Sequence, residues 1–73
     1  MAFRLRLKEI LKEKEITMGK LSRGADIPIS TVRRMVNDPK YNPTAATLAK
    51  AARYLGVLMD DLWYDDEKES SNS

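Results

Sequence analysis

The chain has 73 residues, of which 42% are hydrophobic and 33% charged, and a net charge of +2; this is the balance of one small globular domain with a thin core and modest stability. It contains no Cys and no His, which excludes a disulfide scaffold, a thiol nucleophile and the usual structural zinc sites. No apolar run reaches the roughly 20 residues of a membrane helix, and the opening MAFRLRLKEI carries no apolar signal core, so a cytoplasmic protein with no membrane partner is expected.

In chain order, residues 3–13 form the first expected helix. Phe3, Leu7, Ile10, Leu11 and Lys14 follow a three-four rhythm, with the Lys14 stem lying along the edge of the stripe. Leu5 falls off that stripe and is available to meet a fifth helix. Arg4, Arg6, Lys8 and Lys12 decorate the other faces, either toward phosphate or as the solvated side of a surface helix. Thr17 is a good N-cap for a second helix over residues 18–25, with Ile16 and Leu21 at the staple positions and Ala25 on the face of Leu21. The small Ser22 beside that face would let a crossing helix come close. Asp26-Ile27-Pro28 then ends this helix and starts the next. Proline is tolerated where helical N–H groups are free, and it drives Ile27 out of the α region. Ile27 becomes an apolar plug in the turn.

The third helix, residues 29–36, turns Val32, Met35 and Val36 inward and leaves Ile29, Ser30, Arg33 and Arg34 toward the outer and N-terminal surface. Asn37 ends it. The stretch DPKYNP, residues 38–43, is a loop, in which Tyr41 is expected to act as a lid over the core, with a DNA contact as the alternative. Thr44 caps a fourth helix, Ala45–Leu55, with Leu48, Ala49, Ala52 and Leu55 as its buried stripe. Gly56 supplies a left-handed C′ residue and Val57 packs back on the helix end. A short fifth helix over residues 59–63 begins with Asp60 and Asp61, which suit a first turn. From Asp65 the tail DDEKESSNS has no apolar residue and should be disordered. The expectation is therefore an all-α domain of five short helices over residues 1–64, with a disordered tail over 65–73. Charge divides along the same chain: residues 1–34 hold nine Lys/Arg and four Asp/Glu, while residues 35–73 hold four and seven. A basic half that contains the third helix attracts nucleic acid.

The ordered set Thr17, Leu21-Ser22, Asp26-Ile27, Thr31-Val32 and Asn37-Asp38, followed by NPTAATLAKAARYLGVLMDDLW, resembles the Cro/C1-type (XRE-like) helix-turn-helix family over about residues 4–63. Departures fall at Met18, where such proteins often carry Gln; at Asp26 and Asp38, where they carry Gly; and at Ser22, where they carry Ala. The resemblance implies a lambda-repressor-like fold and sequence-specific binding of double-stranded DNA, with the third helix in the major groove. It implies base contacts from Ile29, Ser30 and Arg34, and backbone contacts from Thr17, Arg33, Asn37, Lys40 and Asn42. The reading chemistry would be an Arg34 fork on guanine, Ile29 on a thymine methyl and Ser30 on a base edge or phosphate. For Asn37, Lys40 and Asn42 the alternative is a C-cap, a solvated lysine and an Asx turn.

A small transcriptional regulator is the favoured function, without a small-molecule effector domain and without a cofactor. Large apolar side chains near the C-terminus, Leu58, Met59, Trp63 and Tyr64, suggest a weak homodimer. The alternative is a protein-interaction module of the same fold, such as one partner of a toxin-antitoxin or phage-control pair; Met18 and Asp26 on the DNA side favour it. Catalysis is not expected. Asp60, Asp61, Asp65 and Asp66 are the only acid-base candidates in a suggestive cluster, and they read as a helix start and an acidic tail.

Overall fold

The computed structural model describes residues 3–65. In chain order it contains β1 (Phe3–Leu5), α1 (Leu7–Lys14), α2 (Met18–Ala25), α3 (Ile29–Asn37), α4 (Ala45–Leu55), a 3-10 helix (Met59–Leu62) and β2 (Trp63–Asp65). The five-helix, all-α expectation is corrected to four α-helices and a two-stranded sheet, with the fifth helix reduced to one 3-10 turn. Phe3–Leu5 is not part of α1. The run Phe3-Arg4-Leu5-Arg6-Leu7 alternates apolar and basic residues, which is the period of a strand. The strand pairs antiparallel with β2 in the register Phe3↔Asp65, Arg4↔Tyr64 and Leu5↔Trp63. Phe3 and Trp63 stack on this ladder with ring centroids 5.3 Å apart, and Leu5 is buried beneath it. Asp65, expected in the tail, is the last residue of β2; residues 66–73 of that tail lie outside the described residues.

The sheet does more than close the two ends of the chain. The Arg6 N–H donates to the Leu62 carbonyl at 2.7 Å, which continues the ladder toward the 3-10 helix. The Leu5 N–H points the other way and donates to the Pro39 carbonyl at 2.8 Å. β1 therefore lies between β2 and the loop that follows α3.

Helix starts follow side-chain chemistry. The Thr17 hydroxyl accepts from the Lys20 N–H at 3.1 Å and the Thr44 hydroxyl from the Thr47 N–H at 3.2 Å, each satisfying a free first-turn donor. Three of the helices end alike. Glu15, Asp26 and Gly56 take left-handed conformations, with φ of 55°, 59° and 72°. The next residue in each case, Ile16, Ile27 or Val57, donates its N–H back to Leu11, Ser22 or Ala52. This is the Schellman arrangement, with the apolar residue after the cap turned onto the helix end. Only Gly56 is the residue type that sequence alone assigns to such a position. Asp26 reaches it because a short acidic side chain tolerates the left-handed region; Glu15 has no such excuse.

The core is a single cluster to which every helix contributes. Leu7, Leu21, Val32, Met35 and Leu62 are almost completely inaccessible, and Ile27 plugs the turn between α2 and α3. The inward face of α3 is as the sequence implied, with Val36 half-buried at its edge. On α4 the buried stripe is Leu48, Ala51, Ala52 and Leu55, so Ala51 replaces Ala49, which is half-buried. The set of positions i, i+3, i+4 and i+7 is the face of an α-helix that packs along its length. α2 packs on both α3 and α4, and α1 on α3. The close approach to α2 depends on Gly24, not on Ser22: a Cβ on Gly24 would overlap the Tyr54 ring of α4. Ser22 instead donates its hydroxyl to the Ile27 carbonyl at 2.6 Å and so pins the turn. No buried polar side-chain atom among the described residues lacks a partner.

Candidate nucleic-acid interface

The turn between α2 and α3 fixes how α3 is presented. Asp26 reverses the chain, Ile27 anchors it in the core, and Pro28 opens α3 as its N-cap residue with φ −55° and ψ 140°. The Pro28 carbonyl accepts from both Thr31 and Val32. The Lys50 ammonium of α4 donates to the Asp26 backbone carbonyl at 3.3 Å, tying the same turn to α4. α3 is thus held at its start by α2 and α4 and along its inner face by Val32 and Met35.

Because Val32 and Met35 face inward, an α-helix of 3.6 residues per turn sends Ser30 and Asn37 almost directly outward, with Arg33 and Arg34 about 50° to either side. These four side chains form an exposed strip about 10 Å long. Ile29 lies at the edge of the strip and is 38% exposed. The two arginines straddle the strip symmetrically, and Asn37 belongs to it as much as Ser30 does. Their surroundings differ. The Arg34 guanidinium lies over the Tyr41 ring, 4.6 Å from its centroid. Arg33 is exposed on the other side.

The remaining expected contacts surround this strip in sequence and are all exposed. Thr17 uses its hydroxyl oxygen as a cap acceptor, which leaves the hydroxyl proton to donate elsewhere. Lys40 and Asn42 sit in the loop after α3. Its first turn is closed by the Asp38 carboxylate, which accepts from the Lys40 N–H at 3.2 Å, and by the Asp38 carbonyl, which accepts from the Tyr41 N–H at 2.9 Å. Tyr41 is half-buried against the core, as a lid would be, and carries Arg34 on its exposed side. That second role escaped the sequence reading, although an aromatic residue seven positions after Arg34 in a proline-flanked loop was a usable signal. Met18, which replaces a frequent family Gln, is half-buried on the core and is not a free surface group.

Two surface grooves among the described residues lie away from α3. One is lined by Gly24, Ala25, Asp26, Lys50, Arg53 and Tyr54; another, by Arg6, Ile10, Glu13, Lys14, Val57 and Asp61. Among the described residues no three metal-ligating side chains come together, and no helix is long and apolar enough to cross a membrane.

Two helices joined by a three-residue turn, the second showing a polar strip with two arginines, define a helix-turn-helix domain. The chain belongs to the Cro/C1-type HTH DNA-binding domain family, whose model matches residues 6–68. Membership supports DNA as its partner and a regulatory role. The match begins immediately after β1. A comparison with curated proteins finds no match.

Proposed function

We propose that this domain binds duplex DNA sequence-specifically as a small transcriptional regulator, seating residues 29–36 in the major groove with α2 across the groove mouth. The observation that carries the reading is the exposed strip of Ser30, Arg33, Arg34 and Asn37 opposite a fully buried Val32 and Met35. A helix with that division offers hydrogen-bonding side chains to base edges without surrendering any core contact. Arg34 reads a guanine, Ser30 a neighbouring base edge and Ile29 a thymine methyl. Thr17, Arg33, Asn37, Lys40 and Asn42 fix the domain on the sugar-phosphate backbone. The basic first half of the chain supplies the salt-dependent part of the affinity.

One reading helix covers a single half-site, so two copies would span half-sites about 34 Å apart. The dimer contact we assign is the C-terminal end of the bundle around Leu58 and Met59. Leu58 is 73% exposed at the position of a helix cap, where a polar residue would serve an isolated domain better. Trp63, also a candidate from sequence, is engaged with Phe3. Selection of bound duplexes from a random pool, followed by anisotropy titration of the winner and a scrambled duplex, tests the function. A common motif bound at least tenfold more tightly than the scramble is the expected result. Failure to bind any duplex at low salt would transfer the α3 surface to the protein-interaction reading.

A further inference from the structure

We infer that Tyr41 is a positioning residue for DNA readout: its ring is a fixed platform that holds the Arg34 guanidinium in place before DNA arrives. The inference rests on the reading of Arg34 as a base contact. A long arginine side chain that is free in solution must give up rotamer freedom when it docks. A guanidinium already lying on an aromatic face has lost part of that freedom, and its planar fork keeps its edge N–H groups available for a bidentate contact. The separation of 4.6 Å from the ring centroid is within the range of a direct cation–π contact.

A platform must itself be rigid, and three independent ties hold this one. The Tyr41 side chain packs against the core cluster. Its backbone N–H donates to the Asp38 carbonyl, closing a turn directly on the C-terminus of α3. Two residues earlier, the Pro39 carbonyl accepts from the Leu5 N–H. The loop is thereby fastened to β1, which is held in turn by β2. The small sheet, which lies far from α3 in sequence at both ends, thus stiffens the segment that supports the reading side chain. Arg33, on the opposite side of the strip, has no comparable ring contact among the described residues, so the two arginines enter the groove with different freedom.

The test is a double-mutant cycle on the full chain with the selected and scrambled duplexes. Tyr41→Leu removes the ring but keeps an apolar lid; Tyr41→Phe keeps the ring. Because the contact is already made in the free protein, its effect on affinity is the ordering cost it spares. Ordering a rotamer-rich side chain costs about 0.5–1.5 kcal/mol, and sparing most of it corresponds to roughly a two- to fivefold change in affinity. Tyr41→Leu should therefore weaken the selected duplex about two- to fivefold and leave the scramble unchanged, and Tyr41→Phe should restore binding. In an Arg34→Ala background Tyr41→Leu should have no further effect. In the free protein, the ring-current shift of the Arg34 side-chain protons should be present with Tyr or Phe at 41 and absent with Leu, a readout independent of DNA. If Arg34→Ala is selective but Tyr41→Leu is silent, tightens binding, or acts equally in the Arg34→Ala background, the platform is overturned while the Arg34 reading stands. If Arg34→Ala weakens both duplexes alike, the reading itself fails, and the platform as a device for sequence readout fails with it, whatever the NMR shift shows.

Discussion

Replacing Glu15 with glycine should stabilise the domain, even though it removes a side chain and adds none. Glu15 sits at φ 55° as the C-cap of α1, in a conformation that costs an ordinary L-residue about 1–2 kcal/mol. Glycine escapes that penalty but loosens the unfolded chain, which returns about 0.4–1 kcal/mol. The substitution also removes a carboxylate from the negative end of the helix, worth about 0.3 kcal/mol at an exposed site. The net gain is about 1 kcal/mol, which in a domain this small raises Tm by roughly 4–8 °C. Two companions isolate the cause. Glu15→Ala keeps the left-handed penalty and drops only the charge, so it should gain no more than about 0.3 kcal/mol. Gly56→Ala is the mirror experiment. A Cβ there meets nothing within 4 Å, so its loss of about 1 kcal/mol is conformational and not steric. Thermal melts followed by circular dichroism give all three values. If Gly56→Ala loses stability as expected but Glu15→Gly is neutral or destabilising, residue 15 does not occupy the left-handed region in solution and the Schellman end of α1 is wrong.

Val32→Asp should abolish the cooperative melt, because Val32 is wholly buried and an unpaired carboxylate there costs several kcal/mol; a near-parental melt would mean that α3 does not pack on this side. Leu58→Ser should leave the monomer within about 0.5 kcal/mol of the parent while weakening self-association more than tenfold, since one buried leucine side chain contributes about 1.5–3 kcal/mol. Sedimentation at high micromolar concentration, with and without duplex, reads this; a parent chain that is monomeric under both conditions would remove the proposed dimer.

What could be read from the sequence divides according to the range of the interactions responsible. Thr17, Thr44 and Gly56 were legible because a cap is made within four residues, between one side chain and its own helix. The inward face of α3 was legible because three- and four-residue spacing is written in the chain. β1 was misread because its helix-like set, Phe3 with Leu7 and Ile10, competed with an alternation that only a distant partner rewards: β2 lies about sixty residues away, and Trp63 stacks on Phe3. The fifth helix shortened for the same reason, since Trp63 extends to pair with Leu5 instead of continuing the turn. Glu15 hid its left-handed conformation behind a residue type that rarely adopts it. At the candidate interface the exposed residues were assigned from helical spacing and resemblance, but the unequal surroundings of Arg33 and Arg34 were not, because the loop that brings Tyr41 under Arg34 is held by β1.

The central proposal, that the outward strip of α3 reads DNA sequence, is tested most directly by titrating Arg34→Ala and Arg33→Ala against the selected and scrambled duplexes at three or more salt concentrations. Arg34→Ala should weaken the selected duplex by roughly 1–3 kcal/mol and flatten preference at one base pair. Arg33→Ala should weaken both duplexes alike and lower the salt dependence by about one ion. If both variants remain folded and bind both duplexes as tightly as the parent, α3 is not the DNA surface and the account is contradicted.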